Sequence, residues 1–222
     1  HFERGQDSRR AVRYLQQAGA HAIQRCAHQE AIWLLNKALE ALTTWPEGPE
    51  RAQQELAIQL ALSTPLCTTR GWAAVDLEQT YVRAWALCQQ LEETAPRCPI
   101  LLGLGICAMG RGQLQRAREL LVHALTLAQH SQDGESLLRG YTVLGITMLF
   151  LGEFAAAHAH FEQGLTLAAV QTPPIPPGPA PWHPHLTCLG YDALTLWLLG
   201  YPEQAVQRSH TALCLAQQWG HP

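Results

Sequence analysis

The sequence predicts an all-α protein, a solenoid of about five helical hairpins, and three observations carry that prediction. Leu104-Gly105-Ile106, Gly112, Ala117 and Leu125-Thr126-Leu127-Ala128 return forty residues later as Leu144-Gly145-Ile146, Gly152, Ala157 and Leu165-Thr166-Leu167-Ala168. Offsets of four from Ala117 to Leu121 and three from Leu121 to Ala124 keep these residues on one helical face. An alanine or its equivalent recurs in that register at Ala31, Leu77, Ala117, Ala157 and Ala205. A unit this small cannot bury its own apolar face and must stack on neighbours.

Ser8 is an expected N-cap, with Ala11, Val12, Leu15, Ala18, Ala22 and Ile23 following at helical spacing. After a break near Cys26 to His28, Ala31, Leu35 and Ala38 carry a second helix, so the first pair covers about 8–43 and ends at the Trp45-Pro46-Glu47-Gly48-Pro49 turn. The second pair covers about 50–93. Pro65 stands where the other copies have glycine, which predicts that the first helix of this pair ends or kinks there, with Cys67 to Trp72 as the connection. Leu77, Tyr81 and Ala84 carry its second helix. The two clear copies cover about 99–130 and 135–170, each with a small residue (Gly105, Gly145) for close helix approach and a turn glycine (Gly112, Gly152). Seven of the fourteen prolines lie in 172–184, predicting an extended surface loop. The fifth pair covers about 185–219, with Gly200 opening its turn and Pro202 suited to a first helical turn. All five pairs read as a single domain over 1–222.

Composition narrows the function classes. The net charge is −3, with one lysine among 15 basic residues, so no basic field points to nucleic acid. Only 15% of residues are charged, against about 25% in an ordinary soluble chain, so some faces are expected to meet partners. Seven cysteines at irregular spacing do not form a disulfide framework, and a reducing cytoplasm is the expected compartment. The apolar runs fall short of the ~20 residues that a membrane helix needs. A start at His1 and a stop after a helical pattern read as a segment of a longer chain.

No catalytic constellation is expected. Gly103-Leu-Gly105-Ile-Cys-Ala108 fits a dinucleotide fingerprint in letters only, because no strand precedes it and no acidic residue follows about twenty positions on. Phosphate-loop, nucleophile-elbow and zinc-protease motifs are absent, so neither a cofactor nor a metal is assigned. His158 and His160 point about 200° apart on a helix and cannot share a metal. His183 and His185, near Cys188, lie in the expected loop, without a second ligand cluster at recognised spacing.

Leu104-Gly105, Gly112, Ala117, Leu121 and Ala124, and again Leu144-Gly145, Gly152, Ala157, Phe161 and Gly164, resemble the tetratricopeptide repeat pattern. That resemblance implies a right-handed α-α superhelix with a concave groove lined by the first helix of each pair, at positions three before and one, four and five after the small residue. Carried over, these are Leu102, Ile106, Met109 and Gly110, then Thr142, Ile146, Leu149 and Phe150, then Gly190, Leu194, Trp197 and Leu198. The first pair supplies Gln16, Ala20, Ile23 and Gln24, which are more polar. Two readings stay open: an apolar groove for an amphipathic segment, or an apolar stripe buried by tight coiling.

Three longer stretches, Arg51-Ala-Gln-Gln-Glu-Leu-Ala-Ile-Gln-Leu-Ala-Leu, Leu77-Glu-Gln-Thr-Tyr-Val-Arg-Ala-Trp-Ala-Leu-Cys-Gln-Gln-Leu and Leu196-Trp-Leu-Leu-Gly-Tyr-Pro-Glu-Gln-Ala, are similar to the helical-repeat region of bacterial multidomain proteins with a class III adenylate/guanylate cyclase domain and an AAA-type ATPase. The resemblance implies a non-catalytic interaction or scaffold arm whose partner is a protein or peptide, the parent's own ATPase module included. A helical-repeat sensor for a small amphipathic ligand and an oligomerisation arm are the other readings. No cyclase or ATPase residue lies within these 222.

Overall fold

The computed structural model describes residues 4–170 and 183–219. Among them are ten α-helices and no strand. The chain divides into two compact units, His1–Cys107 and Ala108–Pro222.

The first unit contains α1 (Arg4–Gln24), α2 (His28–Leu42), α3 (Pro49–Arg70), α4 (Val75–Gln90) and most of α5 (Arg97–Gly110). In α2, Ala31, Leu35, Ala38 and Leu42 repeat every three to four residues, and all four are buried. Leu35, Ala38 and Leu42 meet Ile58, Leu62 and Leu66 of α3 and Leu77 of α4 in one apolar cluster. Burying a side chain of this size stabilises the fold by about 1.5–3 kcal/mol, which offsets the entropy of ordering these short helices.

Two expectations fail here. Ser8 is not a helix cap, because α1 already runs from Arg4. Pro65 does not end the helix: α3 continues through it to Arg70, so most of the expected connection from Cys67 to Trp72 is helical, and Gly71, at φ 79°, closes it. A proline inside a helix removes one amide donor and crowds the preceding turn. Here the ring is buried among apolar neighbours, and hydroxyls supply local bonds: Ser63 Oγ donates to the Leu60 carbonyl at 2.7 Å and Thr69 Oγ1 to the Pro65 carbonyl at 2.7 Å.

The aromatic ring of the second pair lies against a glycine of a different helix. In the first pair the Leu35 side chain lies against Gly19, so that a Cβ on Gly19 would be 2.9 Å away. Proline at the corresponding place leaves Tyr81 no such hollow. Its ring lies instead against Gly103 of α5, where an added Cβ would stand 2.2 Å from Cζ. Gly103 is therefore a packing residue, which accounts for the first glycine of the apparent dinucleotide fingerprint.

The second unit contains α6 (Leu114–Ser131), α7 (Gly134–Phe150), α8 (Phe154–Val170), α9 (Pro184–Leu198) and α10 (Pro202–Gln218). Consecutive helices pack on one another, and α9 also packs on α7. Phe161, fully buried, fills the hollow at Gly145, where a Cβ would stand 2.5 Å from its ring. Three turns close alike. Gly112, Gly152 and Gly200 take φ of 73°, 80° and 88°, a region costly for a side chain. The residue after each donates back to the carbonyl five earlier: Gln113 to Ala108, Glu153 to Met148 and Tyr201 to Leu196, each at 2.9 Å. Asp133 caps α7 by accepting from the Ser136 amide at 3.2 Å.

The expected loop at 172–184 lies outside the described residues except for its end. There His183 stands at the N-cap position of α9, without a side-chain cap bond, and Pro184 occupies its first turn, so both belong to a helix start.

Candidate partner-binding surface

The first-helix positions separate into packed and open ones. In the first unit Leu102 is buried and Ile106 half-buried. In the second unit Met109, Thr142, Ile146 and Leu149 are all buried. Thr142 Oγ1 donates to the Leu138 carbonyl at 2.7 Å and lies 3.5 Å from the Pro184 carbonyl. Most of the apolar stripe on α7 is thus packing, covered by α9. The groove expectation keeps Phe150, Leu194, Trp197 and Leu198, which are 55%, 47%, 61% and 47% exposed.

The repeat register explains the division. The last two copies lie 48 residues apart, Gly152 matching Gly200 and Ala157 matching Ala205. Leu194 and Trp197 are counterparts of the buried Ile146 and Leu149, and no described helix covers them as α9 covers the earlier pair. Phe150 and Leu198 are counterparts of each other and are open in both copies. The Phe150 ring meets Tyr191 of α9 edge-on, with centroids 6.4 Å apart, which begins an apolar strip along the first helices of this unit.

Two residues of α10 missing from the sequence expectation join the open surface. Val206 and Leu213, one helical repeat of seven apart, are each more than half exposed. With Gly190, Leu194, Trp197 and Ser209 they line a cavity of about 450 Å³ between α9 and α10. Scattered among polar residues, neither stands out in the sequence; only their shared face makes a surface. The first unit has a cavity of about 410 Å³ of different character, lined by Asn36, Gln59, Asp76 and the guanidinium groups of Arg70 and Arg83. Both cations are paired, Arg83 with Glu55 at 2.5 and 2.8 Å and Arg70 with Asp76.

A charged cluster joins α8, α9 and α10. Asp192, fully buried, takes the place that leucine holds at Leu104 and Leu144. His158 Nδ1 lies 2.7 Å from its Oδ1 and Arg208 Nε 2.8 Å from its Oδ2, while Arg208 also pairs with Glu162. Burial pushes the Asp192 carboxyl up from its ordinary range, opposed by the His158 hydrogen bond and the Arg208 charge. His158, Glu162 and Asp192 could present ligand atoms within 4.8 Å of one another, but Arg208 already supplies the positive charge that a metal would bring. Sequence reasoning missed this cluster because its members are far apart along the chain.

The histidine pairs do not share sites. His158 turns to Asp192, whereas His160 stacks on Tyr141 at 6.1 Å. His183 is buried against Trp219 at 4.6 Å, with His185 5.9 Å from the same indole. Cys188 Sγ contacts the Phe161 carbonyl at 3.4 Å, and burial pushes its pKa up to about 12, so it remains a neutral thiol. None of the seven cysteines is in a disulfide.

Burial lowers the pKa of His160 and His185 below the ordinary 6.5, and neighbouring His183 lowers His185 further. A base depressed in the fold contributes stability that is present above its unfolded pKa and lost as pH falls through the folded value. Urea midpoints should therefore fall as pH drops below about 6.5, and His160→Phe with His185→Phe should flatten that fall. An unchanged slope in the double variant would assign the acid sensitivity elsewhere.

No described helix is long and apolar enough to cross a membrane. Residues 97–169 match the tetratricopeptide repeat family model. Among curated proteins no sequence matches. Solved structures share the fold. A Rap protein complexed with competence and sporulation factor superposes with a TM-score of 0.73 at 13% identity, over 95% of this chain and 55% of that one. A Rap conjugation regulator of plasmid pLS20, in complex with the Phr* peptide, gives 0.69 at 18% identity, over 94% and 54%. The nearly identical TPR-like repeats of a Podosopora anserina kinesin light chain protein give 0.67 at 18%, over 95% and 97%. The chain spans about half the length of the Rap proteins it resembles. Residues 97–169 are thus a tetratricopeptide repeat region, set in a chain whose all-helical fold is TPR-like throughout its described course.

Proposed function

We propose that this chain is a non-catalytic binding module that holds a protein or peptide segment against the first helices of its C-terminal unit. The observation that carries this reading is the exposure of Phe150 and Leu198 at matching repeat positions, while the rest of the α7 stripe is packed away. Large apolar side chains left open at a repeating interval offer a partner anchors one repeat apart, and Tyr191 extends the strip between them. The Rap structures, whose fold this chain shares, were solved with a sporulation factor and with a Phr* peptide bound, which supports peptide binding as the use of such a face. Leu194, Trp197, Val206 and Leu213, which line the open cavity between α9 and α10, are each about half-exposed, a geometry better suited to a macromolecular segment than to an enclosed small ligand. The similarity of residues 51–62, 77–91 and 196–205 to the repeat region of cyclase and AAA ATPase proteins makes the regulatory arm of such a protein the proposed setting.

Selection of a displayed peptide library on the purified chain tests the reading. Peptides so obtained should lose at least about tenfold in affinity on Phe150→Ser or Leu198→Ser, a loss typical of removing one buried apolar anchor. Melting temperature should change little, since both side chains are about half exposed. Binding that survives both substitutions would place the partner elsewhere.

A further inference from the structure

Charge collects in the C-terminal unit where the repeat departs from its own pattern. His158, Glu162 and Asp192 stand at places that the preceding copy fills with Arg118, Val122 and Leu144. Helix packing does not call for them, since leucine serves the buried place at both Leu104 and Leu144. His158 and Glu162 are four apart on one face of α8, and Asp192 arrives from α9, which brings three possible ligand atoms within 4.8 Å of one another. The Asp192 side chain is wholly buried, whereas those of His158 and Glu162 are 32% and 45% exposed, so the cluster is reached from solvent.

Arg208 answers this cluster only in part. It brings one positive charge to two carboxylates, which leaves one negative charge over while His158 is neutral. Its Nε stands 2.8 Å from Asp192 Oδ2, yet that buried oxygen accepts no hydrogen bond among the described residues. A buried carboxylate oxygen with unspent lone pairs is costly to a fold and points to a further occupant.

We propose that His158, Glu162 and Asp192 form a binding site for a divalent transition-metal ion of the zinc type, and that the bound ion displaces Arg208. An imidazole with two carboxylates suits zinc, whereas calcium and magnesium take six or more ligands, nearly all oxygen. Zinc bonds of about 2.0–2.2 Å set tetrahedral ligand atoms about 3.3 Å apart, so the 2.7 Å between His158 Nδ1 and Asp192 Oδ1 must widen by about half an ångström. Rotation of the His158 and Glu162 side chains supplies that movement. Two positive charges then meet two negative ones, and water takes the fourth position on the solvent side. Arg208, 28% exposed on a long stem, turns outward. The site does not involve Phe150 or Leu198 and does not rest on the partner strip.

Calorimetric titration with zinc chloride at pH 7 tests the site. The protein is the whole 222-residue chain carrying Cys26→Ser and Cys214→Ser, which removes the two exposed thiols. One ion per chain is expected. His158→Ala and Glu162→Gln should each weaken binding at least about tenfold, because each removes one of three ligands. Arg208→Leu, which removes the competitor, should strengthen it at least about tenfold. Zinc should also raise the melting temperature of the Arg208→Leu chain by more than that of the parent. Glu162 lies at a half-exposed position, so its variant tests the site in a folded chain. Equal zinc affinity in the parent, His158→Ala and Glu162→Gln would mean adventitious binding only and would overturn the proposal. So would an Arg208→Leu chain that binds zinc no more tightly than the parent.

Discussion

Phe161→Ala should lower the stability of the C-terminal unit by about 3–5 kcal/mol, the range for truncating a buried aromatic ring. The ring is wholly enclosed, and its hollow exists because residue 145 has no side chain. The same contact predicts a reciprocal effect: Gly145→Ala puts a methyl 2.5 Å from the ring Cε1 and should cost about 1–3 kcal/mol by overpacking. Adding Phe161→Leu to Gly145→Ala should cost less than the two changes summed, because leucine already stands at the matching place, Leu121, in the preceding copy. Urea unfolding of the four proteins, followed by circular dichroism, measures the cycle. Strict additivity would mean that ring and glycine are not coupled.

The second large effect is electrostatic. Arg208→Leu leaves the buried Asp192 with only His158 beside it, and breaking a buried pair from one side costs about 3–5 kcal/mol. The partner of an uncompensated charge can be removed as well. Asp192→Leu combined with Arg208→Leu should recover most of the loss, since leucine occupies that place in both earlier copies and a packed apolar pair often replaces a buried ion pair without penalty. Thermal unfolding at pH 7 distinguishes the outcomes. If the double variant is as weak as Arg208→Leu alone, the arginine acts through its aliphatic stem, which is largely covered, and not through its charge.

Much of the fold was legible because its signals are local. A glycine that must take positive φ, followed five residues later by an alanine with no room for more, marks a helical hairpin without knowledge of its neighbours, and Gly112–Ala117, Gly152–Ala157 and Gly200–Ala205 all do so. The errors came where a distant contact overruled a local rule. Pro65 reads as a helix end or kink, yet its ring is buried and the helix passes through it. A lone carboxylate such as Asp192 is ordinarily exposed, and the arrival of His158 and Arg208 from other helices lets it lie inside. The site was half legible for a related reason. Spacing places Ile146 and Trp197 at corresponding points of a repeat, but whether such a residue packs or stays open depends on what lies over it, which periodicity does not contain. Val206 and Leu213 join the open face only through the crossing of α9 and α10.

The proline inside α3 has one further effect, on how that helix comes apart. With no amide at position 65, the Ala61 carbonyl receives no rung of the helical ladder, so the segment from Leu66 to Arg70 is joined to the preceding turns by one fewer backbone bond. Fraying that begins at Gly71 reaches this gap before it reaches the turns that anchor Ile58 and Leu62. The amides from Cys67 to Arg70, beyond the core residue Leu66, are therefore expected to exchange faster than those of the turns upstream, which native-state hydrogen exchange would measure.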